Sequence, residues 1–217
     1  MTKLTDAEKV NIMNDLLYSF KDNIDSNRFK ELYEHIYKYY DYDLVPEITG
    51  FMSEVFINAN IDVLKYTNTI PSYYGYFNNL IPTSYIIPNN IIHMESNAFD
   101  NCLNLETIFT SSVTLLEDES FADCQNLKIA HLPAIEHIRV SVFRGCYNLK
   151  ELYLPYGLTY ISPNWFGGHI NCYPANKQLT IYYEGSKEDF KTLLYNSHWS
   201  QDDYENLFDS VNIEYLA

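Results

Sequence analysis

Six histidines and four cysteines are the side chains of this 217-residue chain best suited to metal binding or nucleophilic chemistry. A zinc site draws thiolates and imidazoles from closely spaced pairs. Cys102, Cys124, Cys146 and Cys172 contain no such pair, and His35, His93, His131, His137, His169 and His198 are scattered among them. Cys146 and His169 would have to meet to form an activated thiol–imidazole couple, but the spacing of Cys146 has a better explanation below. The acidic pairs Asp22/Asp25 and Asp41/Asp43 fall at the ends of expected helices, where Asp25 suits a helix N-cap better than a metal ion. No HExxH, GxSxG, GxGxxG or phosphate-loop sequence is present, and each of those chemistries depends on its spacing. The expectation is a protein that is not an enzyme, with no catalytic residue, cofactor or metal.

The cysteines belong to a repeat instead. Phe99, Phe121 and Phe143 follow one another at steps of 22, and Phe166 comes 23 later. Cys102, Cys124 and Cys146 keep the same 22-residue step, each opening a Cys-x-Asn-Leu unit. Eight residues before each Phe stand Ile91, Val113, Ile135 and Leu158; five before stand Met94, Leu116, Ile138 and Ile161. After each unit, apolar residues alternate at Ile108, then Ala130 and Leu132, then Leu152 and Leu154. That alternation predicts a short strand with one buried face. Pro133 and Pro155 then end the strand, with Pro88 in the similar place after Tyr85-Ile86-Ile87, because proline has no N–H for the ladder. One coil cannot bury its own apolar face, so stacked coils must share a core. The Phe and Cys columns should fill it, and the Asn should bond backbone at the turn between coils.

Over about residues 84–190 this pattern resembles the BspA-like leucine-rich repeats. The segment Leu179–Phe190 resembles the stretch that often closes such arrays, and Tyr74-Gly75-Tyr76-Phe77 resembles a worn first repeat. The fourth repeat departs from the pattern at Gly167-Gly168-His169, which predicts a loop over about 167–178 holding Cys172. The resemblance implies a repeat solenoid and a role in adhesion or protein interaction.

Residues 5–22, 26–41 and the segment from Pro46 through Phe56 carry apolar residues at helical spacing, the first behind a Thr5-x-x-Glu8 capping box. The expected architecture is α+β: an N-terminal helical bundle (1–66), a β-solenoid of BspA-like leucine-rich repeats (67–186), and a helical, acidic C-terminal cap (187–217). Short helices are expected near 186–196 and 201–209, and a last strand over Val211–Leu216.

The net charge of −15 is densest at the C-terminus, where residues 187–217 hold seven acidic against two basic side chains. Such a chain is repelled by nucleic acid and anionic membranes, which leaves neutral or basic proteins as partners. The start, Met1-Thr2-Lys3-Leu4-Thr5-Asp6, lacks an apolar targeting core, and no apolar run approaches the ~18 residues of a membrane span. A cytoplasmic protein with reduced cysteines is expected.

If Ile108, Leu152 and Leu154 face the core, the residues between them face outward. Phe109, His131 and Tyr153 then form one row across the sheet, with Thr107, Ile129 and Glu151 as its neighbour; the family resemblance implies that Ile86 and Tyr182 extend the row at either end. Exposed aromatic rows mark partner sites, although cross-strand packing also favours them. A weaker candidate contact for a basic partner is the acidic C-terminal set Asp202, Asp203, Glu205 and Asp209, with Glu214 in the same cluster. The primary expectation is a non-enzymatic protein–protein interaction module using the sheet face. The alternatives are an acidic inhibitor, phage- or mobile-element-encoded, that blocks a basic nucleic-acid-binding or defence protein, and a cell-surface adhesin-like protein.

Overall fold

A computed structural model describes residues 68–70, 74, 81–167 and 178–217. The chain divides into two units, Met1–Thr67 and Asn68–Ala217, and the described residues belong to the second. The three helices expected before residue 67 lie outside the described residues, as do Cys172, Phe77 and most of the expected 167–178 loop.

Two parallel sheets alternate along the second unit. The first has five strands of two residues each: β1 (Thr69–Ile70), β3 (His93–Met94), β5 (Leu115–Leu116), β7 (His137–Ile138) and β9 (Tyr160–Ile161). The second has six: β2 (Ser84–Ile86), β4 (Thr107–Phe109), β6 (Ile129–His131), β8 (Glu151–Leu154), β10 (Thr180–Tyr183) and β11 (Asn212–Tyr215). Within each sheet the strands from successive coils pair in parallel, Thr107 with Ile129 and Ile129 with Glu151. Parallel pairing needs a crossover between strands, and here the rest of each coil supplies it. The prolines act as expected: β6 stops two residues before Pro133, and β8 stops at the residue before Pro155.

The turn-rich side of each coil is also tied to its neighbour. Phe99 N–H donates to the Ser120 carbonyl (2.8 Å) and Phe121 N–H to that of Val142 (3.0 Å). Two columns there adopt the left-handed conformation: Asn97, Glu119 and Ser141, and Asn101, Asp123, Gly145 and Gly167. Gly145 stands at φ +75° beneath Asp123; a Cβ on it would lie 2.2 Å from the Asp123 carboxylate. Gly167, expected to open the loop, instead keeps the 22-residue step of this column.

The core is a set of ladders. Phe99, Phe121 and Phe143 are buried and stacked, with centroids 5.4 and 5.8 Å apart, and Phe166 follows at 5.7 Å. Burial of each such side chain contributes about 1.5–3 kcal/mol. The Cys124 thiol donates to the Phe99 carbonyl at 3.0 Å, and Cys146 to Phe121 at 3.1 Å. Asn126 and Asn148 bond backbone, as the sequence suggests, but one coil back, at Leu103 and Gln125 (2.8 Å each).

The C-terminus closes both sheets. Helices α1 (Lys187–Asn196) and α2 (Gln201–Ser210) each start with a serine capping box, Ser186 with Asp189 and Ser200 with Asp203. Strand β11 then returns beside β10. On the other sheet, the last strand β9 meets side chains instead of a further strand. Ile161 N–H donates to Ser197 Oγ (3.1 Å), and Trp199 Nε1 donates to the Ile161 carbonyl (2.8 Å).

Two outcomes test this arrangement. Burial pushes the Cys102 thiol up to about 12 and raises Cys124 and Cys146 as well, so the nucleophilic thiolate is suppressed. In a Cys172→Ser variant, Ellman's reagent should therefore detect no thiol before denaturation and all three afterwards. Replacing Trp199 by Phe should lower stability by about 1–3 kcal/mol in urea unfolding, because the Ile161 carbonyl loses its donor. An unchanged midpoint would show that this seal contributes nothing.

Candidate functional site

Parallel pairing places each outward residue of a strand beside its counterpart in the next coil, at a step of 22 residues in the regular coils, 23 from Ile86 to Phe109 and 29 from Tyr153 to Tyr182. Ile86 is in register with Phe109, Phe109 with His131, His131 with Tyr153, and Tyr153 with Tyr182. Between them and their strand mates, Ile108, Ala130, Leu152 and Ile181 are fully buried. The row lies on the solvent side: Ile86 is 70% exposed and Phe109 37%, while His131, Tyr153 and Tyr182 are half-buried.

The half-burial comes from the rings themselves. Phe109 and His131 are 5.8 Å apart, His131 and Tyr153 5.1 Å, and Tyr153 and Tyr182 4.6 Å with their planes 11° from parallel. The row is thus a surface and a set of cross-strand pairs at once, and each pair adds about 0.2–1 kcal/mol to the sheet. In the neighbouring row, Thr107, Ile129 and Glu151 lie in register and half-buried. The Tyr153 hydroxyl donates to Glu151 at 2.8 Å, which pushes the phenol up to about 12. One further member was expected only as part of the acidic C-terminal cluster. Glu214 on β11 pairs with Tyr182 and ends the row; its place depends on β11 returning beside β10, which no repeat spacing encodes.

The acidic candidates at the C-terminus separate. Asp203 accepts from Ser200 N–H (3.1 Å) and Oγ (2.5 Å), as the capping residue of α2. Asp202, Glu205 and Asp209 are exposed on that helix, and Glu205 accepts from Gln201 at 2.7 Å. They do not join the aromatic row.

A second titratable group lies on the turn-rich side. Arg144 bridges Glu119 (2.9 Å) and Asp123 (2.7 Å). Asp100, half-buried beside them, is pushed up to about 6, first by loss of water and then by the Asp123 charge. Sequence reasoning missed it because its repeat counterparts are Ala122 and Arg144. Among the described residues no group of His, Cys, Asp or Glu is arranged to hold a metal ion, and no helix is long and apolar enough to cross a membrane.

Parallel two-sheet coils with buried Phe, Cys and Leu columns define a repeat solenoid of the leucine-rich class. The chain belongs to the family described as BspA type leucine rich repeat region, whose model matches residues 49–173, more than half of the chain, in six copies. The match begins inside the segment expected to form a third helix and ahead of the expected boundary at 67. It also counts more coils than the three regular, one broken and one worn repeat legible in the sequence. Among solved structures, a leucine rich cell surface protein of Faecalibacterium prausnitzii is similar at 21% identity, over 52% of this chain and 35% of that one, with a TM-score of 0.33. The pneumococcal vaccine antigen PcpA is similar at 16% identity, over 54% and 39%, with a TM-score of 0.32. A leucine-rich repeat protein of Bacteroides ovatus is similar at 21% identity, over 46% and 39%, with a TM-score of 0.24. The chain therefore covers well under half the length of each. No curated protein matches the chain.

The Asp100 site yields a pH signature. Its folded value of about 6 lies above the ordinary 3.8, so the folded state binds the proton more tightly than the unfolded one. This group's contribution to stability is then complete below about 4 and is lost as pH rises through about 6. An Asp100→Asn variant should be more stable than the wild type at pH 7 and should flatten the stability profile between those values. Parallel profiles for the two proteins would refute the assignment.

Proposed function

We propose that this chain is a non-enzymatic protein-interaction module whose partner docks on the outer face of the six-stranded sheet. The observation that supports this is the continuous, in-register row Ile86–Phe109–His131–Tyr153–Tyr182, which presents apolar and aromatic surface where a solvated sheet ordinarily presents polar side chains. Its rings are already ordered by each other, so a partner gains contact area at little further entropic cost. Thr107, Ile129 and Glu151 form the second line of contact. The division into an N-terminal domain (1–66), the solenoid (67–186) and a C-terminal cap (187–217) belongs to the same proposal.

A second reading, an acidic antagonist of a basic protein, draws on Glu151 and Glu214 at one end of the row. Subcellular fractionation decides whether the cytoplasmic placement holds.

Affinity purification from the native host, with bound proteins identified by mass spectrometry, tests the docking face. A Phe109→Ser/Tyr153→Ser variant, checked for intact folding by circular dichroism, should retain less than about a tenth of the wild-type partner. Full retention by the folded variant would remove the sheet face from consideration.

A further inference from the structure

The two ends of the docking row differ chemically. Ile86 and Phe109 make one end apolar, whereas Tyr153 and Tyr182 at the other stand between two carboxylates. The 4.6 Å separation and near-parallel planes of these two tyrosines match the spacing of neighbouring strands. Their rings are therefore stacked along the row, and Tyr153 covers one face of Tyr182. The other face of Tyr182 looks along the row toward Glu214, its register partner on β11. Glu151 lies on the far side of the pair, bound to the Tyr153 hydroxyl.

Among the described residues neither Glu151 nor Glu214 is paired with a Lys or Arg. Lys128 is held by Glu106 at 2.6 Å, and Arg144 is engaged by Glu119 and Asp123. Both phenols are raised above the ordinary tyrosine range, Tyr153 first by its hydrogen bond to Glu151 and Tyr182 first by loss of water, with the Glu214 and Glu151 charges adding to both. The end of the row thus joins a ring face that Tyr153 does not cover to the exposed carboxylate of Glu214 on the outermost strand.

We propose that this end of the sheet binds an arginine side chain of a basic partner segment, its guanidinium stacked on the face of Tyr182 that Tyr153 leaves uncovered and paired with Glu214. A guanidinium is planar, weakly hydrated and forked, so it stacks on a ring while bonding a carboxylate; a lysine ammonium offers no plane to stack. This deepens the docking proposal and rests on it.

The test uses the full chain with labelled tyrosines and two short peptides that alternate glycine with arginine or with lysine, followed by NMR of the aromatic rings. The arginine peptide should shift the Tyr182 and Tyr153 ring signals and bind more tightly than its lysine counterpart. Glu214→Gln and Tyr182→Leu should each weaken it about threefold, whereas Glu205→Gln/Asp209→Asn should leave it unchanged. Equal binding of the two peptides, or equal losses at Glu214 and at the α2 acids, would show diffuse charge attraction and overturn the assignment. Comparison with Phe109→Ser separates this from the reading beneath it. If the native partner is lost on Phe109→Ser but the arginine peptide ignores Glu214, the row docks a partner of other chemistry. If neither variant matters, the docking proposal itself fails.

Discussion

Every coil must advance the chain by one strand spacing and no more, because the backbone groups of one coil are satisfied by the next. Thr107 N–H reaches the Thr83 carbonyl at 3.0 Å, His137 N–H that of Thr114 at 3.0 Å, and Phe99 N–H that of Ser120 at 2.8 Å. These bonds lie on all three sides of the coil, and they hold the register even where the step lengthens, to 23 residues from Ile86 to Phe109 and 29 from Tyr153 to Tyr182. Buried backbone groups without partners are costly. The 22-residue step is the sequence record of that constraint.

Once the step is fixed, each kind of side chain becomes a ladder. Phe99, Phe121 and Phe143 stack in the core because their positions are equivalent. The thiols of Cys124 and Cys146 point at carbonyls one coil back for the same reason, and small, weakly polar Cys suits that buried place. The same rule acts on the outer face, where it aligns Phe109, His131, Tyr153 and Tyr182 without requiring that they serve the core. A solenoid therefore orders its surface as strictly as its interior, which makes one face usable for recognition.

A ladder must also stop somewhere, and the two sheets stop differently. The larger sheet gains β11, whose exposed Glu214 puts a charge on the outermost strand, a common protection for sheet edges. The smaller sheet ends on β9, where Ser197 and Trp199 take the two backbone groups of Ile161. Part of the acidic C-terminus is structural as well: Asp189 and Asp203 complete helix caps. The charge left for a partner is thus narrower than the count of acidic residues suggests.

The columns of Phe, Cys, Asn and Leu were legible from the sequence because each is a residue type recurring at one step, as was the inward and outward alternation of β4, β6 and β8. The two C-terminal helices and the last strand were legible from local periodicity. The five-stranded sheet was not, since strands of two residues are too short to show alternation. Nor were the left-handed columns, where Asn97, Glu119 and Ser141 share a conformation but no chemistry. The sequence by itself determined the repeat, the core and the middle of the aromatic row, Phe109, His131 and Tyr153, because those follow from period alone; Ile86 and Tyr182, 23 and 29 residues from their register partners, followed only from the family resemblance. Only the tertiary structure decided that the rings stack, that Glu214 closes the row and that Trp199 seals Ile161. Those contacts join segments outside the repeat to its last coils, and a spacing rule carries no information about where such segments return.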